Sequence, residues 1–395
     1  MPIGQYQAPD IYIEEVSTGA RPIQAVGTST AAFIGKAPNG RARQGEAIAI
    51  PNWATFTREY VREDDSSTPL SHAVRGFFGN GGSLCYVVNV GNGALEDGLN
   101  VVATLDDVAI VAAPGYIEAG DYDAILEHCE TMKDRVAILD APEKVEDLTR
   151  LTDVATSGGG GGDGDGGGGS SGLRPRQSDK GFGAFYYPWI TVRDAFDLER
   201  TVNVPPSGHI AGIWARTDAT RGVHKAPANE IVRGALNVSH RLTRAEHAIL
   251  NPEGVNVIRL YANEGVRVMG ARTVAAAANE FRYLNVRRLF SMVEESIAES
   301  MRWVIFEPNN FPLWKSIQRD VTAFLIRLWR DGALQGESPE QAFFVKCDEE
   351  TNPQEDIDAG IVTTIIGMAP VKPAEFVVFR ISQMAGGADV ETMES

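Results

Sequence analysis

The chain has 395 residues, 43% of them hydrophobic, with 53 acidic against 36 basic side chains and a formal net charge of −17. A core that large divides into two or three packed units, and the surplus negative charge works against binding nucleic acid or anionic lipid over most of the surface. Cys85, Cys129 and Cys347 stand far apart with no CxxC and no histidine at ligand spacing, which argues against a disulfide framework or a zinc site and leaves buried apolar roles.

The opening MPIGQYQAPD has neither the basic start nor the apolar run of a signal peptide, so the chain is expected to stay in the cytoplasm where it is made. DIYIEEV, Asp10 to Val16, is a strand candidate on an arm that ends at Gly19-Ala20-Arg21-Pro22. A lone terminal strand leaves backbone groups unpaired. Residues 1–22 are therefore expected to be a strand-exchange arm, with Ile11, Tyr12, Ile13 and Glu14 pairing between subunits. GTSTAAFIGK, Gly27 to Lys36, approximates a phosphate loop but has Thr30 where glycine is required and Ala37 after the lysine. No nucleotide and no other cofactor is expected.

From Ser83 to Pro142 the runs LCYVVNV, DVAIVAAP and RVAILDAP alternate with helix-like stretches such as Asp121 to Lys133. Runs apolar on both faces and separated by helices fit buried strands of a parallel α/β sheet, which GAFYYPWI, Gly183 to Ile190, can extend. Gly158 to Gly172 holds 11 glycines in 15 residues. Such a tract cannot offset its ordering entropy by burial and reads as a flexible loop inside one α/β domain spanning 23–275. No HExxH pair occurs, and GGSSG inside the glycine tract, the one string of GxSxG form, is not a strand-to-helix nucleophile elbow. His209 in PPSGH and His224 in RGVHK read as loop or core hydrogen-bonding residues, not as a base and its partner.

The second half is more helical, over Asn279 to Trp303 and Leu313 to Arg330, with a turn at Glu307-Pro308-Asn309-Asn310. In the second helix Leu313, Trp314, Ile317, Val321, Phe324, Leu325 and Leu328 fall on one side, and periodicity groups Lys315, Arg319, Arg327 and Arg330 opposite them. Ile326 among these basic residues and Trp329 at their edge add an apolar component that fits a partner with an acidic surface. Between Lys346 and Lys372 lie six acidic residues, Asp348, Glu349, Glu350, Glu355, Asp356 and Asp358, whose spacing fits a solvated loop and no EF-hand. Ile361 to Val371 is too short to span a bilayer. EFVVFRI, Glu375 to Ile381, has strand composition, and Phe376, Val378 and Arg380 are expected to pair between subunits.

In chain order the sequence contains APDIYIEEVSTGARPIQAVGTSTAAFIG, PPSGHIAGIWARTDATRGVHKAPAN, LNPEGVNVIR, GARTV, YLNVRRL, FEPNNFPLW, FFVKCDEETNP and APVKPAEFVVFRISQ. Together these segments resemble contractile phage-tail-like sheath proteins. The fold expected is α/β (α+β overall): a parallel-sheet domain plus a helical/β C-terminal assembly domain, 276–383, then a C-terminal arm, 384–395. The resemblance implies a structural subunit, not an enzyme, that stacks as hexameric rings around an inner tube and contracts. Its partners would be itself, the tube, and baseplate and terminal cap proteins, without nucleic acid or direct membrane insertion. Lys315, Arg319, Arg327 and Arg330 would then face the tube. The alternatives are an α/β enzyme of unknown substrate, or a tube or baseplate component. Assembly in the cytoplasm, into a phage tail or tail-like particle, goes with the resemblance.

Overall fold

Alternate residues of AAFIG enter opposite cores: Ala31 and Phe33 face one, Ala32 and Ile34 the other. Period-two burial on both faces is what a central strand requires. The computed structural model describes residues 22–156 and 172–376. The expectations at Ile11, Tyr12, Ile13, Glu14, Val378 and Arg380, and the loop up to residue 171, lie outside these residues. The segment tested above as a phosphate loop is strand β1 (Ala31–Gly35), with β3 on one side and β4 on the other.

In chain order there follow β2 (Ala47–Ile50), α1 (Trp53–Tyr60), α2 (Pro69–Asn80), β3 (Cys85–Asn89), α3 (Leu95–Val102), β4 (Ile110–Ala112), α4 (Ala119–Met132), β5 (Val136–Asp140) and β6 (Gly183–Tyr187). The runs expected as strands on either side of the glycine tract all form strands. After β7 (Ile190–Arg193) and β8 (Thr201–Val204) come α5 (Ser207–Arg221), β9 (Glu230–Ile231), β10 (Ala235–Val238), α6 (Arg244–Leu250), β11 (Val255–Tyr261) and β12 (Gly265–Val268). The main sheet has nine strands in the order β2-β3-β1-β4-β5-β6-β11-β12-β9. Its central strands, β3 to β11, are mutually parallel, and β2, β12 and β9 join antiparallel at the edges.

Phe56 and Tyr60 of α1, Leu70 and Phe77 of α2 and Ile210 and Trp214 of α5 fill one face. Leu99 of α3, Tyr122 and Leu126 of α4 and Leu250 of α6 fill the other. A small antiparallel sheet, β10-β7-β8, completes the first core. Helices α2 and α5 meet backbone to backbone. A Cβ on Gly208 would lie 2.2 Å from Ala73 Cα, and one on Gly212 would lie 2.4 Å from the Phe77 carbonyl oxygen. Helix α2 starts on a Thr68 capping box with Pro69 in its first turn, and stops at Gly81 with φ 114°.

The C-terminal part has its own core. Helices α7 (Leu284–Ser300) and α8 (Phe311–Arg330) pack on an antiparallel strand pair, β13 (Phe343–Lys346) and β14 (Ile365–Met368). Helix α7 begins later than periodicity suggests because residues 279–282 are held in a turn. Asn279 Oδ1 accepts from Phe281 N at 2.8 Å, and its Nδ2 donates to the Asp179 carbonyl at 2.6 Å. Cys85, Cys129 and Cys347 are all buried and free.

Candidate assembly surface

The root of the N-terminal arm lies along the C-terminal helices. Ile23 is wholly buried in the C-terminal core, and Arg327 donates to its carbonyl. Alternate backbone N–H groups of this extended segment donate to serines one turn apart on α7: Gln24 to Ser300 Oγ at 3.2 Å and Val26 to Ser296 Oγ at 3.0 Å. Next comes a buried ion pair. Arg288 of α7 forks onto both carboxylate oxygens of Asp218 in α5, at 2.9 and 2.6 Å, and donates to the Thr28 carbonyl at 2.9 Å. Thr28 Oγ1 donates to the same carboxylate at 2.6 Å, and the guanidinium lies 4.8 Å from the Trp214 ring centroid. One cluster thus fastens arm root, α/β domain and C-terminal domain together.

The C-terminal root is anchored separately. Arg272, only 3% exposed, forks onto the Glu375 carboxylate and donates to the Asn251 carbonyl at 2.6 Å. The chain then reaches Phe376, which is exposed. Glu375 and Phe376 are not in a strand, and the rest of EFVVFRI lies outside the described residues. Strands β13 and β14 have only each other as strand neighbours among the described residues; on the far side of β13, Gln318 Nε2 of α8 donates to the Val345 carbonyl at 2.9 Å, so β14 presents the freer edge. Phe344 and Ile365 on this pair are exposed.

On α8, Lys315, Arg319, Arg327 and Arg330 are all exposed. Arg319 Nε bonds Asp320 at 2.9 Å, and Lys315 Nζ reaches Gln318 at 3.1 Å. Arg327 is exposed with this group and also has a partner within the chain. At 100° per residue it lies 120° from Lys315 and close to buried Phe324, whose ring centroid is 5.7 Å from its guanidinium. The Arg327 guanidinium also donates to the Ile23 carbonyl at the arm root. Ile326 and Trp329 also find partners within the chain: both pack on the C-terminal core, and Trp329 Nε1 donates to the Gly336 carbonyl at 2.9 Å. The exposed apolar component lies one turn beyond the helix start. Phe306 is wholly exposed at φ 69°, beside exposed Ile305, and Phe311 and Ile361 are exposed as well. A non-glycine residue held at positive φ and presented to solvent is strain that a contact can use.

The places where an α/β enzyme would do chemistry are occupied by structural bonds. Asp140, at the carboxyl end of β5, accepts from Ser207 N at 2.8 Å and Ser207 Oγ at 2.6 Å and so caps α5. Burial pushes its carboxyl up to about 7, with the Ser207 hydrogen bonds opposing. His209 is a core residue of α5 whose Nδ1 has no hydrogen-bond partner among the described residues, and burial, then His72 and Arg75, push it down to about 3. His224 is a half-buried residue just past α5. The acidic loop contains Asp348, whose carboxylate accepts from Glu350 N and Thr351 N to close its own turn. Among the described residues no group of His, Cys, Asp and Glu is arranged to hold a metal ion, and no helix is long and apolar enough to cross a membrane.

Sequence reasoning did not single out Arg288, Asp218, Arg272, Glu375 or Phe306. The available signal was positional, since all five fall within the quoted segments that carry the family resemblance. Comparison with known proteins agrees. The phage tail sheath protein central domain matches residues 177–274, and the phage tail sheath C-terminal domain matches 276–384. The sheath complex of an extracellular contractile injection system, PVC, in its contracted state is 30% identical, with a TM-score of 0.77 over 96% of this chain and 98% of that one. A chain of the anti-feeding prophage baseplate, six-fold symmetrised, is 29% identical, with a TM-score of 0.76 over 96% of this chain and 100% of that one. The tail sheath protein of Salmonella phage ViI is 25% identical over 300 residues, 74% of this chain and 46% of the relative. The chain thus spans about half or less of the length of most curated relatives it matches. Two domain matches covering over half of the sequence, and a likeness to solved sheaths over nearly all of it, lead to one conclusion: this chain belongs to the contractile tail sheath family.

Proposed function

We propose that this chain is the repeating subunit of a contractile sheath, assembling in the cytoplasm as stacked hexameric rings around an inner tube and shortening to drive that tube through a target envelope. The observation that carries this is the likeness to a sheath complex over 96% of the chain, both domains included. A six-fold symmetrised relative supports the hexameric ring. The subunit works without catalysis, its free energy stored in subunit packing. Baseplate and terminal cap proteins close the two ends of the stack.

The arms join subunits by strand addition. The outer edge of β14 offers the acceptor, and each backbone hydrogen bond gained there contributes about 0.5–1.5 kcal/mol. Because both arm roots are tied into the folded body, by Ile23 with Arg327 and by Arg272 with Glu375, tension on an arm moves the whole subunit. Lys315, Arg319 and Arg330 face the tube, and the patch around Phe306 is covered by a neighbouring copy. Negative-stain microscopy of the purified full-length chain tests the reading. Hollow striated cylinders are expected, and uniform monomers at high concentration would overturn it.

A further inference from the structure

We propose that the cavity between α2, α5, β7 and the β9–β10 turn is a binding site for a small oxyanion, a molecule carrying phosphoryl or clustered carboxylate groups. The cavity has a volume of about 350 Å³, within the range of roughly 300–1,000 Å³ typical of small-molecule sites. Arg75, Arg193 and Arg233 enter it from three different elements, with His72 and His209 beside them and no aspartate or glutamate in the lining. On a chain of net charge −17 this is a local inversion of sign.

The guanidinium groups are oriented, not neutralised. Arg75 donates one N–H to the Asp194 carbonyl at 2.7 Å, and Arg193 donates one to the Leu198 carbonyl at 2.7 Å. Each bond sets the direction of the fork and leaves donors over from the five that a guanidinium carries. Arg233 is held through its backbone, where N–H donates to Asn80 Oδ1 at 2.8 Å and the carbonyl accepts from Asn80 Nδ2 at 3.1 Å. Its side chain makes no hydrogen bond or ion pair with a described residue. The nearby carboxylate, Asp194, is 3% exposed and already engaged, accepting from Ser67 Oγ at 2.6 Å and Phe196 N at 2.9 Å.

Burial comes first in lowering the pKa of both histidines; at His72 the Asp194 carboxylate, 3.7 Å away, opposes it and Arg75 adds to it, and at His209 His72 and then Arg75 add to it. Three like charges around one cavity repel each other, and an oxyanion that accepts from two forks at once relieves that repulsion with charge-assisted bonds. Two glycines keep the space open. Neither Gly79 nor Gly234 has an atom within 4 Å of where its Cβ would stand. The site lies on the α/β domain, away from both arm roots, and does not depend on the sheath reading.

Calorimetry and thermal unfolding of the full-length chain, with pyrophosphate and with citrate against potassium chloride at matched ionic strength, decide the matter. Saturable binding of pyrophosphate with Kd below about 1 mM is expected. It should weaken about tenfold or more in Arg233→Gln and vanish in Gly79→Leu, with circular dichroism unchanged in both. Citrate binding equal to or tighter than pyrophosphate assigns the site to carboxylates within the same class. The proposal falls if neither anion exceeds chloride, or if both variants bind as the parent does. A cavity that only accepts a carboxylate side chain of a second copy would give that first negative result.

Discussion

At the scale of single residues the clearest consequence concerns Asp140. Its carboxylate caps α5 from a fully buried position, and burial raises its pKa from 3.8 to about 7. Between those two values the folded chain holds a proton that the unfolded chain has released. Stability therefore falls as pH rises through this window, by about 1.4 kcal/mol for each unit of separation. Asp140→Asn keeps both contacts, its Oδ1 accepting from Ser207 N and its Nδ2 donating to Ser207 Oγ, and carries no charge to desolvate. Urea unfolding should give equal midpoints for parent and variant at pH 5 and a higher midpoint for the variant at pH 8. A variant less stable at both values would mean that the ionised carboxylate is the stabilising form. None of this was legible in the sequence, where Asp140 is one acid at the end of RVAILDAP. Nor was the state of His209, expected among loop or core hydrogen-bonding residues. It is in the core, but its Nδ1 lies against Gly76, where a Cβ would stand 2.3 Å away.

At the scale of elements the α2–α5 contact governs the first core. Gly208 and Gly212, four residues apart on α5, let its backbone touch Ala73 and Phe77. Gly208→Ala adds one methyl where no space exists, and overpacking of this kind costs about 1–3 kcal/mol. The expected result is a lower urea midpoint with unchanged slope, whereas Gly265→Ala, which adds a methyl in open space but at φ 78°, should cost only its backbone strain. Strands with both faces apolar were the legible part of this fold: VVN, IVA, AILD and AFYY each declare burial on two sides. Strand β1 was harder, because GTSTAAFIGK carries a glycine and a lysine at its ends that mimic a phosphate loop. Periodicity located α8 to within two residues at its start and placed Arg327 among exposed basic residues, but it could not show the bond that Arg327 makes to the arm root. The carbonyl that accepts from Arg327 belongs to Ile23, 304 positions away, and no local pattern encodes a partner at that distance.

For the molecule as a whole, the proposed function requires a contact that would hold the sheath to a tube strongly enough to assemble and weakly enough to let go. The exposed side of α8 has the right character. Its opposite side is buried through Trp314, Ile317, Val321 and Phe324, so Lys315, Arg319 and Arg330 must meet either water or a partner. Exposed charge pairs contribute only about 0.2–1 kcal/mol each, a sum that a whole-sheath rearrangement can exceed and that repetition around each ring can make sufficient before contraction. Such a contact weakens with salt, since screening shortens its reach to about 8 Å at physiological ionic strength. Arg327 is excluded from the test, because changing it would loosen the arm root at Ile23 and confound tube binding with strand exchange. Reversal of Lys315 and Arg330 to glutamate together, with Arg319 left to pair the buried Asp320, should leave the subunit folded and able to polymerise. Co-expressed with the tube, it should give empty or already shortened sheaths under the microscope, most clearly at high salt. If extended, tube-filled sheaths form with the salt tolerance of the parent, the basic side of α8 is solvated in the particle and the tube is held by another surface, with the exposed patch around Phe306 the next to change.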